Sequence, residues 1–96
     1  MRISLSQPAD IGHLIRAVRK TQKLRQDDAA GAIGVSDVFL GGLENGALGA
    51  RLDKVMQVLK ALGIELTAEV SDEVNQKYTA LQQPKKPAPL SASEQS

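Results

Sequence analysis

The residues able to do chemistry are few and poorly arranged for catalysis. The 96-residue chain has no cysteine and a single histidine, His13. Disulfides, thiolate nucleophiles and cysteine zinc sites are thereby excluded, as is a multi-histidine metal site within one chain. The adjacent carboxylates Asp27 and Asp28 point to different helix faces and suit a helix N-terminus better than acid–base work. No phosphate-binding glycine loop and no histidine-containing triad is present. An enzyme is not expected, and neither is a cofactor, a metal or a small-molecule substrate. What remains is positive charge, concentrated in Arg16, Arg19, Lys20, Lys23 and Arg25. Residues 1–63 carry nine Lys/Arg against six Asp/Glu, and the remainder three against five, so the overall charge of +1 hides a basic front half. That is the sign a nucleic-acid partner requires, although a charged helix face is also what solvation alone produces.

These groups need a scaffold, and its outline follows from spacing. Ninety-six residues suit one domain, and with one Phe, one Tyr and no Trp its core must be aliphatic. Asp10 is the expected N-cap of a first helix over about 11–22, with Ile11, Leu14, Ile15 and Val18 on one face. A second helix is expected over about 26–33, ending at Gly34. A third runs from Ser36 or Asp37 to Glu44 and stops at Asn45-Gly46. Leu52, Val55, Met56, Leu59 and Leu62 predict a fourth, closed by Gly63. The period then changes: Ile64, Leu66, Ala68 and Val70 alternate with polar residues and predict a strand over 64–70. A lone strand needs a partner, either Ile3-Ser4-Leu5 or the same strand of a second molecule. Val74, Tyr78 and Leu81 suit a short amphipathic helix. Residues 71–96 are expected to be a flexible tail, disordered from Pro84 onward (PKKPAPLSASEQS). The start, MRISLSQPAD, lacks the apolar run of a signal peptide, and no stretch is long enough to span a membrane, so a cytoplasmic protein is expected.

Two short helices joined at a glycine become specific only through register. Counting from Gln26, the fourth, eighth, tenth, fifteenth and eighteenth residues are Ala29, Ile33, Val35, Leu40 and Leu43, all apolar. The fifth is Ala30, where a bulky side chain would push two crossing helices apart. The ninth is Gly34, where a tight turn can require positive φ. The stretch QDDAAGAIGVSDVFLGGLENG, with KALG following near residue 60, resembles the helix-turn-helix of the Cro/phage-repressor (XRE) family. The resemblance spans about Asp10 to Gly63 and implies a mainly α, compact four-helix, lambda-repressor-like domain. It also implies that the third helix enters the major groove of double-stranded DNA. Carried over position by position, the candidate readers are Ser36, Asp37, Val38, Gly41 and Gly42, with Phe39 beside them. Gln26, near Lys23 and Arg25, would meet a phosphate, and Asn45 would approach the backbone on the other side. The resemblance further implies a partly buried ion pair between Arg19 and Glu44. Departures are clear: Asp37 is acidic, Gly41 and Gly42 carry no side chain, and Arg25 stands where a capping residue is usual.

The four-helix unit followed at once by GIELTAEV resembles the HipB antitoxin subgroup. That resemblance implies a homodimer joined through Ile64, Leu66, Ala68 and Val70, an operator in its own operon, and a HipA-type serine/threonine kinase toxin as partner. The alternatives are a stand-alone regulator without a toxin, and a protein-interaction module that has lost DNA readout, with Val38 and Phe39 as its surface. If strand pairing joins two copies, Leu66→Asp converts the dimer to a monomer in sedimentation velocity at micromolar concentration. An unchanged dimer would remove strand pairing as the basis of association.

Overall fold

The computed structural model describes residues 1–82, which divide into two units, 1–66 and the segment from Thr67 onward. Five helices occur among the described residues: α1 (Pro8–Thr21), α2 (Gln26–Ile33), α3 (Asp37–Glu44), α4 (Leu52–Ala61) and α5 (Asp72–Gln82). No helix among them is long and apolar enough to cross a membrane.

The first unit holds α1 to α4 around an aliphatic core. Ile15 of α1, Ala29 and Ala30 of α2, Leu40 and Leu43 of α3, and Val55, Val58 and Leu59 of α4 are buried together with Leu62. Ile11, Val18, Ile33, Val35, Phe39 and Ile64 pack on this cluster from its edges. The register counted from Gln26 therefore faces inward as expected. The stripe of α4 differs from its expected membership: Leu52 is 73% exposed and Met56 also lies outside the core. The buried line is Val55-Val58-Leu59-Leu62, rotated from the expected one because α4 meets α2 and the core on that side.

Helix ends are set by local hydrogen bonding, and one differs from expectation. α1 begins at Pro8 rather than after Asp10. Proline supplies a preset φ where no intrahelical N–H bond is needed. Asp10 then sits inside the first turn and reaches back, accepting from the Ser6 and Gln7 backbone N–H groups at 2.9 and 3.2 Å. These bonds, that from Ser6 foremost, hold its carboxyl below the usual aspartate range against the opposing effect of desolvation. The turn between α2 and α3 passes through Gly34 at φ +95°, with Gly34 and Val35 N–H groups both bonded to the Ala30 carbonyl at 2.9 and 3.0 Å. Ser36 caps α3, its Oγ accepting from Phe39 N at 2.9 Å. Asn45 ends α3 in an ordinary conformation and Gly46 takes the left-handed one at φ +83°.

One further expectation changes. Residues 64–70 form no ladder, and no strand occurs among the described residues. Alternation selects a strand only when a neighbouring strand accepts its backbone groups, and Ile3-Ser4-Leu5 does not serve as that neighbour. Ile64 is instead tied to the end of α4, its N–H bonded to the Leu59 carbonyl at 2.9 Å. In the second unit residues 72–82 form α5, the short helix that Val74, Tyr78 and Leu81 suit. Ser71 begins that helix, its Oγ accepting from Val74 N at 3.3 Å. The tail expected to be disordered from Pro84 lies outside the described residues.

A close approach of two backbones joins α1 to α3, and spacing gives no hint of it. Gly12 of α1 is buried against the C-terminal turn of α3, and a Cβ there would collide with the Leu43 carbonyl oxygen, a backbone atom that cannot swing away. Ala9, one turn earlier, faces Gly46 in the same seam. Gly12→Ala is therefore expected to destabilise the domain by about 3 kcal/mol, at the upper end of overpacking costs. Urea denaturation measures it, and a change under about 1 kcal/mol would mean that α1 can shift freely.

Candidate nucleic-acid interface

The third helix is placed by a buried polar network rather than by apolar packing alone. Arg19, 8% exposed, meets Glu44, 2% exposed, through two parallel bonds: Nε to Oε2 at 2.7 Å and Nη2 to Oε1 at 2.8 Å. Its remaining Nη1 donates to the Leu24 carbonyl at 2.8 Å, fixing the link between α1 and α2. Gln26 at the start of α2 donates from Nε2 to Glu44 Oε1 at 3.2 Å. One carboxylate thus ties α1, the loop after it, α2 and α3 together. Burial pushes the Glu44 carboxyl up, but the bonds from Arg19 and Gln26 and the charges of Arg19 and Arg16 outweigh it and hold the group below the usual glutamate range.

Gly41 belongs to this arrangement. A Cβ there would lie 3.1 Å from Gln26 Oε1, closer than an ordinary contact, so the bare backbone makes room for the Gln26 amide over α3. A side chain there would ask the Gln26 amide to give way by a few tenths of an ångström. Gly42 is less constrained, its nearest neighbour being Ala47 Cβ at 3.7 Å.

With α3 held this way, its first turn is the part that projects. Ser36, Asp37 and Val38 are exposed, Val38 by 82%. Phe39 is half-buried and packs on the core. The Ser36 oxygen accepts the capping bond, which leaves its O–H free to donate outward. Lys23 and Arg25 are exposed in the loop before α2, Lys23 in the left-handed region at φ +60°. Arg25 pairs with Asp27 on the surface, Nε to Oδ1 at 3.3 Å. Gln26 is half-buried with one amide hydrogen committed to Glu44. Asn45 is exposed at the far end of α3.

Two cations outside the residues expected from the sequence lie near the first turn of α3. Arg51 and Lys54, at the start of α4, line a cleft together with Gly34, Ser36 and Phe39. No carboxylate lines it. Neither residue lies in the stretch from Gln26 to Gly46, so the register of that stretch has no means of including them. His13 is exposed on α1, and no group of His, Asp or Glu among the described residues could hold a metal ion.

Residues 15–68 match the helix-turn-helix family model. An uncharacterized HTH-type transcriptional regulator, y4mF of Sinorhizobium fredii (strain NBRC 101917 / NGR234), is 50% identical over 62 residues, covering 65% of this chain and 82% of the relative. Among solved structures, HipB in a complex with an O4 20mer superposes with a TM-score of 0.65 over 74% of this chain and all of that one, at 18% identity. A HipA–HipB–O2–O3 complex gives a chain with the same TM-score, identity and coverage. At that identity the likeness is one of fold.

The Glu44 network makes stability depend on pH. A carboxyl held below its unfolded value stabilises the fold at neutral pH and loses that contribution as pH falls below about 4.3, the ordinary glutamate value. Glu44→Gln leaves Arg19 buried without a counter-charge, which is expected to cost about 3–5 kcal/mol at neutral pH. The gap from the unsubstituted protein should narrow as pH falls through the acid range. Urea unfolding midpoints for both proteins along that range check it, and a constant gap would mean that Glu44 does not carry the charge.

Proposed function

The chain belongs to the helix-turn-helix family, and on that basis we propose that it is a sequence-specific DNA-binding transcriptional repressor acting as a homodimer. The observation that carries this reading is the exposed first turn of α3, capped by Ser36 and locked to α1 and α2 through the buried Arg19–Glu44–Gln26 network. A rigid helix whose N-terminal side chains project is the part that enters a major groove. Ser36 can donate to a base edge, Asp37 can accept from a cytosine amino group, and Val38 suits a thymine methyl. Gly41 and Gly42 add no base contact, so direct readout is short and groove shape contributes the rest. Lys23, Arg25 and Asn45 are assigned to the phosphate backbone, and the second hydrogen of the Gln26 amide remains available to a phosphate. Homodimerisation is assigned to the 64–70 segment, where a second copy supplies the backbone partner a single chain lacks.

We further assign the protein to antitoxins of the HipBA type, which repress their own operon and bind a HipA-type serine/threonine kinase toxin. Support comes from the GIELTAEV segment after the fourth helix and from the shared fold with HipB chains solved with an O4 20mer and in a HipA–HipB–O2–O3 complex. A second reading, a regulator without a toxin partner, is favoured by the 50% identical relative, whose name specifies transcriptional regulation alone.

Fluorescence anisotropy of the protein with a duplex from upstream of its own coding region, against a scrambled duplex, tests the proposal. The native duplex should bind more tightly, both complexes should weaken with salt, and Val38→Ala should narrow the difference between the duplexes by about tenfold, the worth of one base contact. Equal weak binding to both duplexes would leave α3 without readout and favour a protein-interaction surface.

A further inference from the structure

The Arg19–Glu44–Gln26 network holds the C-terminal end of α3, whereas the projecting residues stand at the other end of that helix. That end begins in the turn after α2, and the last carbonyls of a helix have no donor of their own within it. The Gly34 and Val35 N–H groups both go to the Ala30 carbonyl, and the left-handed Gly34 closes the helix. The Ile33 carbonyl is met from outside α2: Gln57, on α4, donates to it from Nε2 at 2.9 Å. The same amide lies against the turn itself, since a Cβ on Gly34 would stand 3.4 Å from that nitrogen. Gln57 is exposed and takes no part in the apolar cluster that α2 and α4 share.

We propose that Gln57 is a positioning residue for the turn that reads DNA. Its bond to the Ile33 carbonyl fixes the turn between α2 and α3, and through it the direction in which Ser36, Asp37 and Val38 project. This rests on the DNA-binding reading above, in which Gln57 itself makes no contact with DNA. The shared core holds α2 near α4, but burial of apolar surface has no preferred direction. A hydrogen bond does, so the amide sets an orientation that the core leaves open. Only Gly34 and Val35 lie between the anchored carbonyl and the Ser36 cap, so any rotation of that carbonyl passes straight into the first turn of α3. Glycine is the freest backbone link in such a stretch, which is where an outside tether has most effect. Because the bond is exposed, its net gain over water is small, and placement is its larger contribution. The third helix is then held at both ends, from α1 and α2 at Glu44 and from α4 at the turn.

The test uses the full chain with the native and scrambled duplexes, and its readout is the ratio of the two affinities. Gln57→Met keeps an unbranched stem and removes the donor. It should lower that ratio about fivefold, the worth of one hydrogen bond, with the salt dependence unchanged because no phosphate contact is lost. Gln57→Lys supplies a donor again and should keep the ratio, since an added charge acts on both duplexes alike. Gln57→Glu, a good helix former that presents only acceptors to the Ile33 carbonyl, should lower the ratio at least as far. It replaces Gln57→Met should a thermal melt show that variant unfolded. A role in stability alone would lower the folded fraction, weaken both duplexes by one factor and leave the ratio unchanged. That result, with the unsubstituted protein still favouring the native duplex, would overturn the positioning role alone. An unsubstituted protein that binds both duplexes equally would overturn the DNA-binding reading, and the role of Gln57 with it.

Discussion

Everything that places the third helix depends on one buried carboxylate. Glu44 has almost no access to water, and an ionised carboxylate in such a place is tolerated only when its oxygens are fully engaged. The two parallel bonds from Arg19 meet that condition and fix the rotation of α3 about its own axis, because a fork-to-fork pair has one favourable geometry. Arg19 spends its remaining nitrogen on the Leu24 carbonyl, so the link leading into α2 is set by the same side chain. An apolar pair of equal volume could contribute as much stability, but it would not specify orientation in this way. For a helix whose value lies in which side chains it presents, orientation is the quantity that matters.

Small residues are what allow the network to close. Gly12 lets α1 lie directly on the Leu43 carbonyl, and two turns later on the same helix Arg19 reaches Glu44. Gly41 leaves room for Gln26 to cross over α3 and bond the same carboxylate. Consecutive glycines weaken a helix, by roughly 1 kcal/mol each relative to Ala. Capping of α3 by Ser36, tight closure around Ala30 and the buried leucines 40 and 43 offset that cost through the rest of the unit. The helix is thus poor in its own propensity and is held by its surroundings.

The interface that results has an unusual division of labour. The turn proposed to read DNA carries one hydroxyl, one carboxylate and one aliphatic side chain, and no cation. Positive charge stands around it instead, in Lys23 and Arg25 before α2 and in Arg51 and Lys54 at the start of α4. Two of these cations, Arg25 and Arg51, are each paired with an aspartate two residues on, which moderates the field while the surface is free. Such a pattern suits affinity that comes from the phosphate backbone and selectivity that comes from a few contacts and from groove shape.

Features that depend on near neighbours in the chain are legible in the residues alone. The four helices, their glycine stops and the inward register of Ala29, Ala30, Leu40 and Leu43 all follow from spacing, because a helix's apolar stripe repeats along its own residues. The Arg19–Glu44 pair is accessible only through family resemblance, since nothing local links the two positions. The tight fit at Gly12 leaves no signal, because a glycine inside a helical pattern looks like a weakness until the carbonyl that crosses it is known. Arg51 and Lys54 are hidden for a similar reason: they share a cleft with Ser36 only once α4 has packed. Residues 64–70 mark the boundary most clearly. Their alternation is plain in the sequence, yet a strand is a relation between two backbones, and in a single chain the second is missing. Which residues turn inward and where helices stop are thus written along the chain, as one-dimensional periodicities and local hydrogen bonds. Which charges are buried, which glycines are obligatory and which cations share a cleft are settled by folding, because each is a contact between residues that lie far apart until the chain packs.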